Sequence, residues 1–276
     1  MADQTTAKQT PPAAKRSDSA RIMLFTLAMT TVVALLLGVL FFGLRPIHEK
    51  NIAVSNKRAI LSAVDQYLPK SVAAMDDAEV LDFFASNVEQ YVVKADGRAL
   101  DGDEAVEYPV AEEISLAAER KKPADQRVYP FFVVDSGTEK FYICSVYGAG
   151  LWDAIWGNVA LKEDLATIAG VTFDHAGETP GLGAEIKDNP KFSEQFQEKR
   201  IFDYNGTYTS VLVRKGGAKD PVYEVDGISG ATVTANGVSE MLNRGLALYV
   251  PYLKELQSSA DATAPATRGA VGMLDN

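Results

Sequence analysis

The chain has 276 residues, 47% of them apolar and 23% charged, a composition that fits one or two folded domains and excludes wholesale disorder and a polytopic membrane protein. Its 37 acidic and 27 basic side chains leave a net charge of −10, which argues against nucleic acid or anionic lipid as the main partner. A single cysteine excludes an internal disulfide, and one cysteine with two histidines cannot furnish a zinc site of the usual composition, so no metal centre is expected.

In chain order, residues 1–21 lack apolar periodicity and read as a disordered tail. Ile22 to Leu44 is a run of 23 residues without a charge; at about 1.5 Å per residue it reaches roughly 34 Å, enough for a hydrocarbon core of about 30 Å. The run is longer than the apolar stretch of a signal peptide and predicts an uncleaved single-pass anchor in the lipid bilayer. Lys8, Lys15, Arg16 and Arg21 precede it, while Arg45, Lys50, Lys57 and Arg58 follow, so basic residues leave its sidedness open. The part after the span holds 23 basic and 35 acidic side chains, a net −12.

Ile52 to Leu68 has helical spacing and stops before Pro69, and a second helix is expected over Glu79 to Val88. Strand signals follow in Tyr91–Ala95, Tyr129–Asp135, Lys140–Tyr147, Ile168–Phe173 and Tyr208–Lys215, with helices expected over Pro190–Lys199 and Thr234–Leu248. This order, without regular strand-helix alternation, predicts an α+β fold with a mainly antiparallel sheet and flanking helices. The expected organisation is a tail over 1–21, a membrane helix over 22–44, a domain over 45–257 with an N-terminal helical region, and a flexible tail over 258–276. Cys144, inside an apolar strand, reads as a buried small hydrophobe.

Several signatures fail. There is no phosphate-binding Walker sequence, and Gly148-Ala-Gly150-Leu-Trp-Asp153 lacks the third glycine of a dinucleotide turn. Asp96 to Glu107 places Arg98 and Leu100 where a calcium loop needs oxygen ligands, and reads as a solvated loop. Asn205-Gly-Thr207 reads as a hairpin turn. Gly227-Ile-Ser229-Gly-Ala231 approximates a hydrolase elbow, but the last histidine, His175, lies upstream of the serine.

The segment Val222 to Val238 is more informative. A strand ending near Val225 passes through Asp226, Gly227, Ser229, Gly230, Ala231 and Thr232 into a helix starting near Thr234, which offers an anion site at the helix N-terminus. The same residue types also begin an ordinary capped helix, so spacing alone does not choose.

DGISGAT, Asp226 to Thr232, resembles the flavinylation motif of FMN-binding domains, in which the final Thr or Ser carries FMN through a phosphoester bond; Thr232 is the matching position. GETPGLGAEI, Gly177 to Ile186, resembles the loop of that domain that lies against the flavin, and YGAGLWDAIWG, Tyr147 to Gly157, is similar to a segment of the C subunits of sodium-translocating NADH:quinone reductases. The G subunit of the Rnf electron-transport complex is the related alternative; a membrane-tethered flavin-binding sensor is the alternative of another class. The resemblance covers the anchor and most of 45–256, weakly between Ala99 and Arg127.

The resemblance implies an electron-transfer subunit, with FMN on Thr232 relaying electrons towards ubiquinone while the other members of a complex of six subunits couple that flow to sodium transport. It implies no site for direct NADH oxidation in this chain. FAD is the implied donor of FMN, a separate magnesium-dependent flavin transferase the catalyst, and Asp226 the acidic position that enzyme requires. The implied location is the bacterial inner membrane, with the domain facing the periplasm. Candidate flavin contacts are Asp226, Ser229, Gly230, Ala231, Val233 and Thr234 around Thr232, and Glu178, Thr179, Gly181, Leu182 and Gly183 in the loop. Leu151 or Trp152 would wall the ring, and Lys215 or Arg214 would add charge at the phosphate. Trp152 and Trp156, four apart, would share a helix face.

Overall fold

A computed structural model describes residues 16–100 and 111–263. The chain divides into two units, Met1–Ile52 and Ala53–Asn276. The first is represented by helix α1, Arg16–Ser62, whose residues from 53 onward belong to the second. Within the first unit the apolar side chains of the charge-free run are exposed, and the helix is long and apolar enough to cross a membrane. Its few polar side chains are satisfied locally: the Thr26 hydroxyl donates to the Ile22 carbonyl at 2.9 Å and that of Thr31 to Leu27 at 2.8 Å. Pro46 lies inside the helix.

In the second unit α1 ends at Ser62, short of the expected Leu68. The Asp65 carboxylate takes the Val72 amide at 2.5 Å and the Ser71 hydroxyl at 3.0 Å, which turns the chain into a 3-10 segment, Asp65–Tyr67. Helix α2 spans Asp77–Asn87. Five strands follow: β1 Val88–Lys94, β2 Val128–Asp135, β3 Lys140–Ala149, β4 Ala154–Leu161 and β5 Ile168–His175. A short helix α3, Leu116–Glu119, precedes β2. The strands form one antiparallel meander in sequence order.

Both faces of this sheet are covered. Phe131, Cys144, Val146, Ile155 and Val159 share one core with Val238, Met241, Leu242, Leu246 and Leu253, whereas Phe132, Val134, Phe141 and Ile143 share the other with Ile60, Leu61, Val64, Val80 and Phe84. Double coverage is why VYPFFVVD in β2 is a continuous apolar run, without the in-out alternation of a half-exposed strand. Cys144 is buried in β3, and burial pushes its thiol well above the ordinary range.

The remaining elements are α4 Glu185–Asp188, α5 Pro190–Glu194, β6 Leu212–Arg214, β7 Glu224–Asp226, α6 Thr232–Ala247 and α7 Val250–Thr263. β6 and β7 pair in parallel apart from the main sheet. The α+β fold with a mainly antiparallel sheet agrees with the sequence. Several boundaries do not. The helix begun by Pro190 stops at Glu194, and Glu198 takes a left-handed φ of 62°. The strand expected from Tyr208 is only three residues long, with Ser210 at φ 62° before it. α7 reaches into the segment read as a flexible tail. Asn205-Gly-Thr207 does form a turn, with the Asp203 carboxylate accepting from the amides of Asn205 and Thr207 at 2.8 and 2.7 Å. Residues 101–107 of the acidic loop, and the ends of both tails (1–15 and 264–276), lie outside the described residues.

β4 corrects a larger expectation. Trp152 and Trp156 do not share a helix: Gly150 donates its N–H to the Asp153 carbonyl at 2.8 Å, closing a turn that holds Trp152, and Trp156 follows in β4 opposite Tyr147 and Asp174. α6 lies on β3 with little between the backbones. A Cβ on Gly148 would stand 2.7 Å from that of Met241, and one on Gly245 2.8 Å from Val146. This close seating fixes where the N-terminus of α6 emerges.

Candidate functional site

The site grows from the turn between β7 and α6. The Gly227 amide donates to the Arg214 carbonyl at 2.8 Å and the Ala231 amide to Ile228 at 3.2 Å. Gly230 has φ 79°, a left-handed conformation that favours glycine, with the exposed Leu182 side chain beside it. α6 starts at Thr232, two residues earlier than expected, because Ala231 already accepts the first helical bond, from the Ala235 amide at 2.9 Å. Ala231 is the N-cap and no side chain caps the helix. The amides of Thr232, Val233 and Thr234 therefore have no capping acceptor, and the helix dipole adds positive potential at the same place. The ordinary capped helix, which spacing left possible, is not what forms.

Beside this end lies a cleft of about 440 Å³, lined among others by Lys215, Gly217, Asp226, Ser229, Thr232 and Asn236. Lys215 and Thr232 are thus brought together. Arg214 is instead committed to Glu224, Nε to Oε1 at 2.7 Å, and hydrogen bonds from the Lys219 backbone and Arg214 hold the Glu224 carboxyl below its ordinary range. Asp226 is exposed at the cleft edge; its Oδ1 accepts the Ala218 amide at 2.7 Å, and its own amide donates to Gln195 at 2.8 Å. Asn236 and Gly216-Gly217 were missed from the sequence. Asn236 had a signal, since it stands one helical turn after Thr232; the glycine pair had only its place after Lys215.

The other two motifs converge on the same helix end. The Trp152 indole Nε1 donates to Thr179 Oγ1 at 3.1 Å, and Leu151, Trp152, Leu182 and Val233 all expose apolar side chains, Trp152 to 70%. Gly181 takes φ 73°, which turns the loop. Glu178 and Thr234 differ from expectation, for both are buried and paired with each other: Thr234 Oγ1 donates to Glu178 Oε2 at 2.6 Å. Burial alone would raise the Glu178 carboxyl, but hydrogen bonds from Thr234 and the amides of Trp152, Leu151 and Asp153 outweigh it and hold the group below its ordinary value. Gly183 gives room for this pair, since a Cβ there would strike the carboxylate and stand 2.7 Å from Thr234 Oγ1. Among the described residues no cluster of His, Cys, Asp and Glu is placed to hold a metal ion.

An open helix start, a lysine, a half-exposed threonine and an exposed apolar rim suit a ligand with an anionic end and a flat apolar body. The FMN-binding domain family matches residues 150–247, from the glycine of the Trp152 turn to the last residue of α6, so the cleft lies within an FMN-binding domain. The C subunit of the Na(+)-translocating NADH-quinone reductase of Vibrio anguillarum is 32% identical over 234 residues, covering 82% of this chain and 89% of that protein. Its counterpart in a serogroup B Neisseria meningitidis is 31% identical over 252 residues, covering 86% and 94%. The crystal structure of the corresponding Parabacteroides distasonis protein superposes with a TM-score of 0.64 at 33% identity, over 76% of this chain and 96% of that one. The chain belongs to the family of Na(+)-translocating NADH-quinone reductase C subunits.

Proposed function

We propose that the chain is the covalent flavoprotein subunit of a Na+-translocating NADH:quinone reductase, with FMN joined through its phosphate to the Thr232 hydroxyl. The observation that carries this reading is the uncapped start of α6 at a half-exposed threonine that shares a cleft with Lys215. The amides of the first turn and the Lys215 ammonium would hold the phosphate oxygens. Leu151, Trp152, Leu182 and Val233 offer the apolar wall that an isoalloxazine ring needs, with Thr179 beside it, and the absence of side chains at Gly230 and Gly181 keeps the backbone accessible. Ser229, exposed on the turn, adds a hydroxyl at the phosphate end.

Bound FMN supplies the reversible electron uptake and release that no side chain of this domain offers. The protein's part is to keep the cofactor from dissociating between turnovers, which a phosphoester achieves whatever the charge of the flavin. Thr232 is the anchor, and Asp226 at the cleft edge is a recognition group for the flavin transferase, with FAD as donor. The Ile22–Leu44 segment of α1 anchors the chain in the bacterial inner membrane, and the domain faces the periplasm. The other subunits of the complex deliver and accept electrons and move sodium. Expression with and without a flavin transferase, followed by mass analysis of a peptide spanning Gly227 to Leu242, tests the central claim. One FMN on Thr232 only in the first case is the expected result; no adduct, or one elsewhere, overturns it.

A further inference from the structure

Glu178 belongs to the loop that the sequence assigns to the ligand, yet its carboxylate is turned into the protein. It is 5% exposed, and among the described residues it makes no ion pair. Its Oε1 accepts the Trp152 amide at 3.0 Å, and its Oε2 accepts Thr234 Oγ1 at 2.6 Å. Its own amide donates to His175 Nδ1 at 3.1 Å, which ties the loop to the end of β5. The pocket is shaped for the group, because a Cβ on Gly150 or Gly183 would collide with a carboxylate oxygen.

These contacts join the Leu151–Asp153 turn to the first turn of α6, in addition to the seating of that helix on β3. Trp152 is 70% exposed and its indole lacks a packed bed; the bonds that fix it run to Glu178 and Thr179, one to its amide and one to its ring. At the other end, Thr234, two residues beyond Thr232 in the first turn of α6, donates its hydroxyl to Glu178. A buried carboxylate without a cation is costly unless its hydrogen bonds are filled. Here the donors come from two elements, the Trp152 turn and the first turn of α6.

We propose that Glu178 is a positioning residue for flavin attachment, holding the Leu151–Asp153 turn and the first turn of α6 in one frame so that Trp152 and Thr232 address the same ligand. The proposal rests on Thr232 being the attachment point. It assigns Glu178 no contact with the flavin.

The test uses the full chain, flavin transferase and FAD, with labelling at Thr232 read by intact mass. In parallel, the fluorescence anisotropy of Trp152 is measured in a Trp156→Phe background without flavin. Glu178→Gln is expected to slow labelling at least about tenfold, since small misplacements of reacting groups cost that much or more, and to lower the anisotropy. Thr234→Val, which keeps shape but loses the hydroxyl, should do the same, while Thr234→Ser should label within about twofold of the parent, the bond being retained. A folded Glu178→Gln that labels at the parental rate with unchanged anisotropy overturns the proposal. So does equal behaviour of Thr234→Val and Thr234→Ser, which remains decisive if Glu178→Gln fails to fold. If the parent chain takes no flavin on Thr232, the attachment reading falls and this proposal with it, whereas a parent that labels alongside a Glu178→Gln that labels equally well overturns this proposal alone.

Discussion

Two helices of the same domain begin in opposite ways. At the start of α2, Asp76 Oδ1 accepts the Glu79 amide at 2.8 Å and Glu79 Oε2 accepts the Asp76 amide at 2.9 Å, a reciprocal capping box, with Lys70 adding an ion pair at 2.6 Å. At the start of α6 the N-cap is an alanine, the first turn holds no acidic residue, and the nearby threonine hydroxyl is given to Glu178. The first arrangement consumes its amide donors within the chain. The second leaves its first amides without a side-chain acceptor, at the place where the proposed phosphate would sit. The two long helices thus differ in whether a capping side chain is present at the start.

The contrast can be broken from either side. The largest effect is expected from Thr232→Ala, which removes the only hydroxyl proposed as acceptor: covalent flavin should vanish after denaturation, while the melting temperature of the flavin-free protein stays within about 2 °C, as for an exposed surface change. Next, Val233→Glu places a carboxylate at the exposed second position of α6. It should slow flavin labelling several-fold through repulsion of the phosphate while stabilising the flavin-free domain by roughly 0.3–1 kcal/mol; Val233→Gln separates charge from lost apolar contact, and equal labelling by the two would remove the anion argument. Asp76→Ala should do the reverse, costing about 0.5–2 kcal/mol in denaturant unfolding with labelling unchanged.

The smallest effect is acid loosening of α2. Hydrogen bonds from Lys70 and the Asp76 backbone hold the Glu79 carboxyl below its ordinary value. Its contribution is therefore fully present above the unfolded carboxylate pKa of about 4.3 and is lost as pH falls through the lower folded value. The protection of the amides at the start of α2, measured as exchange relative to the intrinsic rate at each pH, should fall in that window; protection unchanged through it would contradict the assignment.

How much of this could be read in advance depended on the range of the interactions. The sheet was visible because its strands are β-branched and aromatic runs buried on both faces, and the Asp226–Thr232 turn because its residue types suit close backbone approach. β4 was not: in GAGLWDAIWG the two tryptophans fall at helical spacing, and only the Gly150–Asp153 turn, with pairing of Trp156 to Tyr147 and Asp174, makes the second half a strand. α7 was hidden by a polar sequence following Pro251, although proline suits a first helical turn and Tyr252 and Leu253 are buried. The inward turn of Glu178 was equally unreadable, since its partner Thr234 lies 56 residues away. Local propensity specifies a turn or a strand; it carries no record of which distant hydroxyl a carboxylate will meet.

The lone cysteine has a practical consequence. Cys144 sits in β3, the third of five strands, with no exposed surface and a thiol that burial keeps protonated. A thiol reagent reaches it only when the centre of the sheet opens. Its modification rate is therefore a native clock for opening of the domain core, and it needs no engineered reporter.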